Sequence, residues 1–325
     1  MESNNFTQIC IAEIIGVSFP AQTTFSFNEL TITNNLSYLN DNFKISEELF
    51  TSIFGALDYN VLKKRTLLIA NIEANENHNY IQNFLIDILN TLWRIKDNNI
   101  YINQFYYFPV AEPFVYFRGK LNFNLYTSSG NIEDIHFNEN DFISIDSLFT
   151  QRSNFLSKDI VKKDYPKENI EGIDVYVGQK LNNHNDLSRF ARSNMFLNEA
   201  RKQSTLPLKI TNYISFFECL FSTTSVEISH QVSERISFFL NRYDQNIKKI
   251  EIYKIIKSCY AIRSKYIHGD KLENKHKELI NLQSFSNQID KLARLTYNNI
   301  LDNNLVIFND EKGIDSYLQD LVFGS

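Results

Sequence analysis

The stretch "IEIYKIIKSCYAIRSKYIHGD", residues 250–270, decides how the C-terminal half of the chain is read. Its apolar positions Ile252, Ile256 and Cys259 recur at steps of four and three, the spacing of one helical face, and Arg263 and Tyr266 continue the stripe. The spacing therefore predicts a helix with an arginine where the helix faces protein. A guanidinium there must be paired, because an unpaired buried charge is very costly. Glu218 and Glu234 are the internal candidates, and a phosphate from outside is the other way to satisfy it. Gly269 directly after His268 predicts a C-terminal glycine stop, which sets His268 at the carbonyl end of the helix, where a cation is favoured. That placement suits a histidine acting as a general acid. Five residues rotate about 500° along a helix, so the Arg263 and His268 side chains diverge by about 140°. They converge only if the helix loosens at His268 or if two chains meet along it. An arginine that ties helices through a carboxylate and a histidine that merely caps a helix would leave the same two residues without chemistry.

Working outward, the pattern stays helical on both sides. "DLSRFARSNMFLNEARKQ" (186–203), "LKITNYISFFECLFS" (208–222), "VEISHQVSERISFFLNRY" (226–243) and "ELINLQSFSNQIDKLARLTYNNIL" (278–301) are each amphipathic, and Pro207 suits a helix start. Short connections between such helices predict a bundle over 186–301. The segment 302–325 reads as an acidic tail with one short helix in "GIDSYLQDLVF" (313–323).

The N-terminal part, 1–165, reads differently. "TTFSFNELTI" (23–32), "NIYINQFYYF" (99–108) and "VYFRGKLNFNLY" (115–126) predict strands. "NYIQNFLIDILNTLWRI" (79–95) predicts one long amphipathic helix. The charged run "SKDIVKKDYPKENIEGI" (157–173), with Pro166 and Gly172, predicts an irregular connection, and 166–185 is the expected linker. The fold class expected is α+β: a β-rich domain carrying one long helix, then an all-α bundle.

Composition narrows the function. The chain has 325 residues and a net charge of −5, and the charge is unevenly spread. Residues 1–184 carry a net −8, 185–301 a net +7 and 302–325 a net −4, so the basic charge sits with the Arg263–His268 helix. Such asymmetry is a hint of polyanion contact. Three scattered cysteines, Cys10, Cys219 and Cys259, suggest neither a disulfide framework nor a zinc knuckle, in keeping with a reducing cytoplasm. No apolar run is long enough to span a membrane, and the N-terminus lacks the pattern of a secretory signal. The six histidines form no His pair at helical spacing, and nine glycines supply no phosphate loop, so neither a metal site nor a nucleotide cofactor is expected. His230, beside Glu227 and Glu234, reads as a structural hydrogen-bonding residue, and His276 in "KLENKHKE" as a solvated one.

Taken together, "EARKQSTLPLKITNYISFFECLFSTTSVEISHQVSERISFFL" (199–240) and "CYAIRSKYIHGD" (259–270) resemble the Apea-like branch of the HEPN superfamily. The resemblance spans roughly 186–300. It rests on an acidic residue in the oily second helix (Glu218), the "EISH..SER" segment (Glu227, His230, Glu234, Arg235), and Tyr260, Arg263, Ser264, His268 and Gly269. "LWRIKDNNI" (92–100) also looks like regions that accompany such domains.

The resemblance implies a metal-independent endoribonuclease, a toxin or antiphage effector. HEPN enzymes typically dimerise and share one composite Arg-His site. His268 would be the general acid or base and Arg263 would stabilise the transition-state charge. Ser264 and Lys265 would orient phosphate, with Tyr266 alongside, and Glu218 would hold Arg263. RNA, with a tRNA loop as a sensible target, is the implied partner, together with a second copy of the chain and a regulatory protein or phage-derived trigger. The N-terminal domain would sense or restrain. A binding module that holds RNA or a nucleotide without cleaving, and a purely structural dimerisation domain, remain open.

Overall fold

A computed structural model describes residues 8–20, 22–27, 30–72, 78–109, 116–138, 140–141, 143–144, 148, 167–170, 173–176, 187–310 and 312–324. The chain divides into two compact units, Met1–Leu148 and Phe149–Ser325. The first is an antiparallel sheet with helices and the second is helical, so the fold is α+β.

The sheet of the first unit has six strands. In chain order they are β1 (Gln8–Ile15), β3 (Thr24–Phe27), β4 (Leu30–Thr33), β5 (Thr66–Ile72), β6 (Tyr101–Pro109) and β7 (Phe117–Lys120), arranged β3-β4-β5-β1-β6-β7. A two-residue strand, β2 (Val17–Ser18), pairs in parallel with β8 (Ile135–His136) outside it. The central strands "QICIAEII" and "TLLIANI" are buried almost throughout, in register Ile11↔Ile69. One face, with Ile9, Ile11, Leu67, Ile69, Tyr106 and Phe108, shares a core with α1 (Ser37–Phe43), α2 (Glu47–Phe54) and α3 (Ala56–Leu62). The side chains of Phe105 and Tyr107 point the other way, as alternation along a strand demands. There they meet His78 of α4 (His78–Ile95), whose ring stacks 5.4 Å from that of Phe105.

The long helix therefore stands where the sequence sets it, but α1, α2 and α3 accompany it among the described residues of this unit, and the sheet has two central strands that the sequence reading does not include. "VYFRGKLNFNLY" yields a strand only over Phe117–Lys120. Early in the second unit, β9 (Lys167–Ile170) and β10 (Ile173–Tyr176) pair antiparallel, so this part of the expected linker is a strand pair rather than an irregular run. The remainder of 166–185 lies outside the described residues.

In the second unit α5 (Arg189–Arg201) begins at Ser188, whose hydroxyl accepts from the Ala191 N–H at 3.1 Å. Next come α6 (Leu206–Phe221), α7 (Ile228–Tyr243), α8 (Lys249–Ile267), the single turn α9 (Asn274–Lys277) and α10 (Leu279–Asn299). α6 is the central helix. Ile210, Ile214, Phe216, Phe217, Leu220 and Phe221 are fully buried, and it packs against α5, α7, α8 and α10. A buried polar link adds specificity: the Tyr213 hydroxyl donates to Asp290 at 2.6 Å, and Arg294 pairs with the same carboxylate at 3.0 Å.

The segment expected as a tail is part of this packing. A π-helical turn, Ile300–Asn304, leads into α11 (Leu305–Asp310) and α12 (Ile314–Phe323). Phe308 is fully buried against Phe221 and Phe239, and α12 lies along α7. The acidic composition of 302–325 had hidden a regular apolar side: Phe308, Ile314, Leu318 and Leu321.

Candidate functional site

The site at the end of α8 is built from two helices. α6 presents Glu218 near its C-terminus, and α8 presents Arg263 one turn from its own. Arg263 Nη2 lies 3.1 Å from Glu218 Oε2. Of the two internal partners open to Arg263, Glu218 is the one it takes; Glu234 faces elsewhere. The pair is partly screened, with the arginine side chain 34% and the glutamate 20% exposed.

Ile252, Ile256 and Cys259 are buried as the stripe requires, but α8 then emerges from the bundle, leaving Arg263 half-buried and Tyr266 37% exposed. The apolar periodicity overstates how deep these last two residues lie, because the neighbouring helices no longer cover them. Tyr260 stays buried. Its hydroxyl lies against the Glu218 carboxylate without a well-aligned hydrogen bond, and burial followed by that negative charge drives its pKa up. Burial also raises the pKa of Glu218, against the opposing pull of the Arg263 charge and of Tyr260.

His268 is the C-cap of α8, and its N–H reaches the Ser264 carbonyl at 3.1 Å. Gly269 follows at φ +73°, a left-handed conformation that favours glycine. The Gly269 and Asp270 N–H groups then close on the carbonyls of Tyr266 and Lys265 at 3.2 and 2.9 Å. The Lys265 ammonium pairs with Asp270 at 3.2 Å, across the cap. The imidazole of His268 and the Ser264 side chain are exposed, with no side-chain hydrogen bond or ion pair among the described residues. One chain thus gathers Glu218, Tyr260 and Arg263 on one side of α8. It leaves Ser264 and His268 on another.

The exposed side continues backward along the helix. Lys254, Lys257, Ala261, Ser264 and His268 follow at steps of three, four, three and four, and all but Ala261 are exposed. This ridge escaped the sequence reading, which tracked apolar spacing only. The same counting applied to lysines finds it. Lys257 is anchored at its base by donating to Ser229 Oγ at 2.9 Å.

Among the described residues of the helical unit, His230 and His276 depart from expectation. His230 is exposed and contacts the Tyr253 ring edge-on at 5.9 Å, in place of the structural hydrogen bonds expected of it. His276, expected in solvent, is 1% exposed with its ring 5.2 Å from Phe285. The charged letters around it form the outside of a single turn whose inside is the imidazole, and burial lowers its pKa.

Among the described residues no group of three His, Cys, Asp or Glu side chains is arranged to hold a metal ion, and no helix is long and apolar enough to cross a membrane. Comparison with protein-family models, with curated proteins and with solved structures found no match to this chain.

Proposed function

We propose that the helical unit is a metal-independent endoribonuclease of HEPN type that acts as a dimer, in a chain that works as a toxin or antiphage effector. The observation that carries this reading is the end of α8: a guanidinium held by a half-buried carboxylate one turn before an exposed imidazole on a glycine-stopped helix terminus. In the reaction the ribose 2′-oxygen attacks the adjacent phosphorus and the bond from phosphorus to the 5′-oxygen breaks. The products are a 2′,3′-cyclic phosphate and a 5′-hydroxyl. His268 takes the 2′-hydroxyl proton or delivers one to the 5′-oxygen, and the matching step falls to the same residue of a second copy. Arg263 stabilises the negative charge that builds on the phosphoryl oxygens. The 140° divergence of the two side chains on one helix is the reason two copies are invoked. Ser264, Tyr266 and Lys265 border the site, and the lysine ridge offers a track for the RNA backbone.

A second reading has its own support. The Glu218 carboxylate already neutralises Arg263, which is what a non-catalytic RNA-binding or dimerisation module would keep. The deciding experiment incubates the protein with total cellular RNA in EDTA beside Arg263→Ala and His268→Ala. Cleavage by wild type alone, with cyclic-phosphate ends, supports the nuclease. Binding without new ends from any of the three, and from residues 187–325 alone, overturns it in favour of the binding module.

A further inference from the structure

A cavity of about 270 Å³ lies between the start of α7 and the end of α12, within the helical unit. Its size, at the small end for ligand sites, suits a single planar heterocycle. Leu318 and Val322 on α12 supply apolar wall. Val226 and Phe323 line it as well and are 70% and 82% exposed. Exposed apolar side chains gathered at the mouth of a cavity mark a place where something flat is covered.

The polar groups in this lining are of two opposite kinds. Arg235 is 7% exposed, so its guanidinium is held inside the protein. Nη1 donates to the Phe221 carbonyl at 2.6 Å and to Thr223 Oγ1 at 3.0 Å. Among the described residues the Nε and Nη2 hydrogens of Arg235 have no hydrogen-bond partner, and those atoms are not sealed from solvent. The carboxylates of Glu227 and Glu234 also line the cavity. Among the described residues neither makes a side-chain hydrogen bond or an ion pair. The wall they stand on is pinned: Gln231 accepts from the Thr223 N–H at 3.1 Å and donates to Thr224 Oγ1 at 3.3 Å. The Arg235 guanidinium feels the charges of Asp315 and Glu234; a fixed guanidinium edge and carboxylates without a hydrogen bond in one small cavity ask for a ligand with an acceptor edge and a donor edge.

A metal ion is a poor occupant, since these acids and His230 are not arranged to hold one. A bare phosphate is also disfavoured, because two carboxylates repel it. Guanine has the required pattern. Its O6 and N7 are adjacent acceptors that a guanidinium reads, and its N1–H and amino group are adjacent donors that a carboxylate accepts. Adenine reverses the polarity at position 6.

We propose that this cavity is a guanine-binding site, with Arg235 on the O6/N7 edge, Glu234 on the N1/amino edge and Phe323 against the ring. The proposal stands on the cavity lining and not on the ribonuclease reading. The guanine can belong to the RNA or to a free nucleotide, and both sources share this chemistry.

The test is calorimetric titration of the full-length His268→Ala protein, so that RNA cleavage does not interfere. The probes are GMP, AMP and a short single-stranded RNA with one guanine, beside the same RNA with adenine in its place. GMP is expected to bind saturably and AMP at least about tenfold more weakly, the discrimination one bidentate contact supplies. Glu234→Gln should weaken GMP binding at least about tenfold, and Val322→Trp, which fills the cavity, should abolish it. Equal affinity for GMP and AMP, no saturable GMP binding, or unchanged binding by a folded Val322→Trp protein overturns the proposal. If the guanine RNA binds more tightly than GMP and GMP displaces it, the base comes from RNA. If GMP binds and the RNA does not compete, the ligand is a free nucleotide. Failure of the wild type to cleave any RNA would count against the nuclease and leave the GMP result intact.

Discussion

At the scale of single residues, the α8 site rests on one exposed and one half-buried side chain, and the two should respond differently to substitution. His268 makes no side-chain contact that the fold needs among the described residues, so His268→Ala should leave the circular dichroism spectrum and Tm unchanged. It should lower RNA cleavage by about 100-fold or more, the usual worth of a general acid or base. A loss of folding with the loss of activity would show that the histidine is only a cap. Glu218 gives a second test. Its pKa is raised in the folded protein by burial, so the folded state holds that proton more tightly than the unfolded one. The stabilising contribution is present at low pH and is lost as pH rises above 4.5 through the raised folded value. Glu218→Gln should therefore flatten that part of the Tm-against-pH curve. His276 has the opposite sign. Burial lowers its pKa, so it contributes stability above 6.5 that is lost as pH falls through the lower folded value. His276→Leu should hold its Tm on acidification where wild type loses it, as a thermal melt series would show.

At the scale of elements, Gly269 is where local backbone chemistry sets the geometry of the proposed site. An added Cβ there meets no atom, so the cost of a side chain is conformational and not steric. Gly269→Ala should lose about 1 kcal/mol in urea denaturation, the price of the left-handed region for a residue with a Cβ. Gly269→Asn should recover part of it, since asparagine tolerates that region better. Cleavage should follow the same order if the cap aims His268. This helix end was legible because His-Gly after an amphipathic run has few other meanings. The helices of the bundle were legible too, since Ile210, Ile214, Phe217 and Phe221 on α6 repeat at a spacing that only a helix buries on one side. The central strands were not. "QICIAEII" and "TLLIANI" are buried on both faces, and such a strand loses the alternation by which strands are found. The inner side of the C-terminal segment was masked by its charge, and the inward turn of His276 by the lysines around it. The cavity beside Arg235 joins residues about 85 positions apart in the chain, and no spacing rule within one helix could reveal it.

At the scale of the whole molecule, two compact units with separate cores carry opposite charge, and the basic ridge of α8 belongs to the second. The helical unit has its own central helix and a closed C-terminal segment, so residues 187–325 should fold alone with cooperative thermal unfolding. If the N-terminal unit restrains the nuclease, this fragment should cleave RNA faster than the full chain at equal concentration. If that unit instead recruits RNA or a trigger, the fragment should be slower. The proposed shared site adds a condition on order: cleavage per chain should rise with protein concentration until the dimer saturates. Light scattering on the same samples would report the dimer independently. Mixing in an excess of His268→Ala chains should poison the wild type, because a composite site fails when either copy lacks its imidazole. Activity that falls only in proportion to dilution would mean that each chain carries a complete site of its own. In that case Arg263 and His268, 140° apart on one helix, would have to be brought together by a loosening of the last turn of α8.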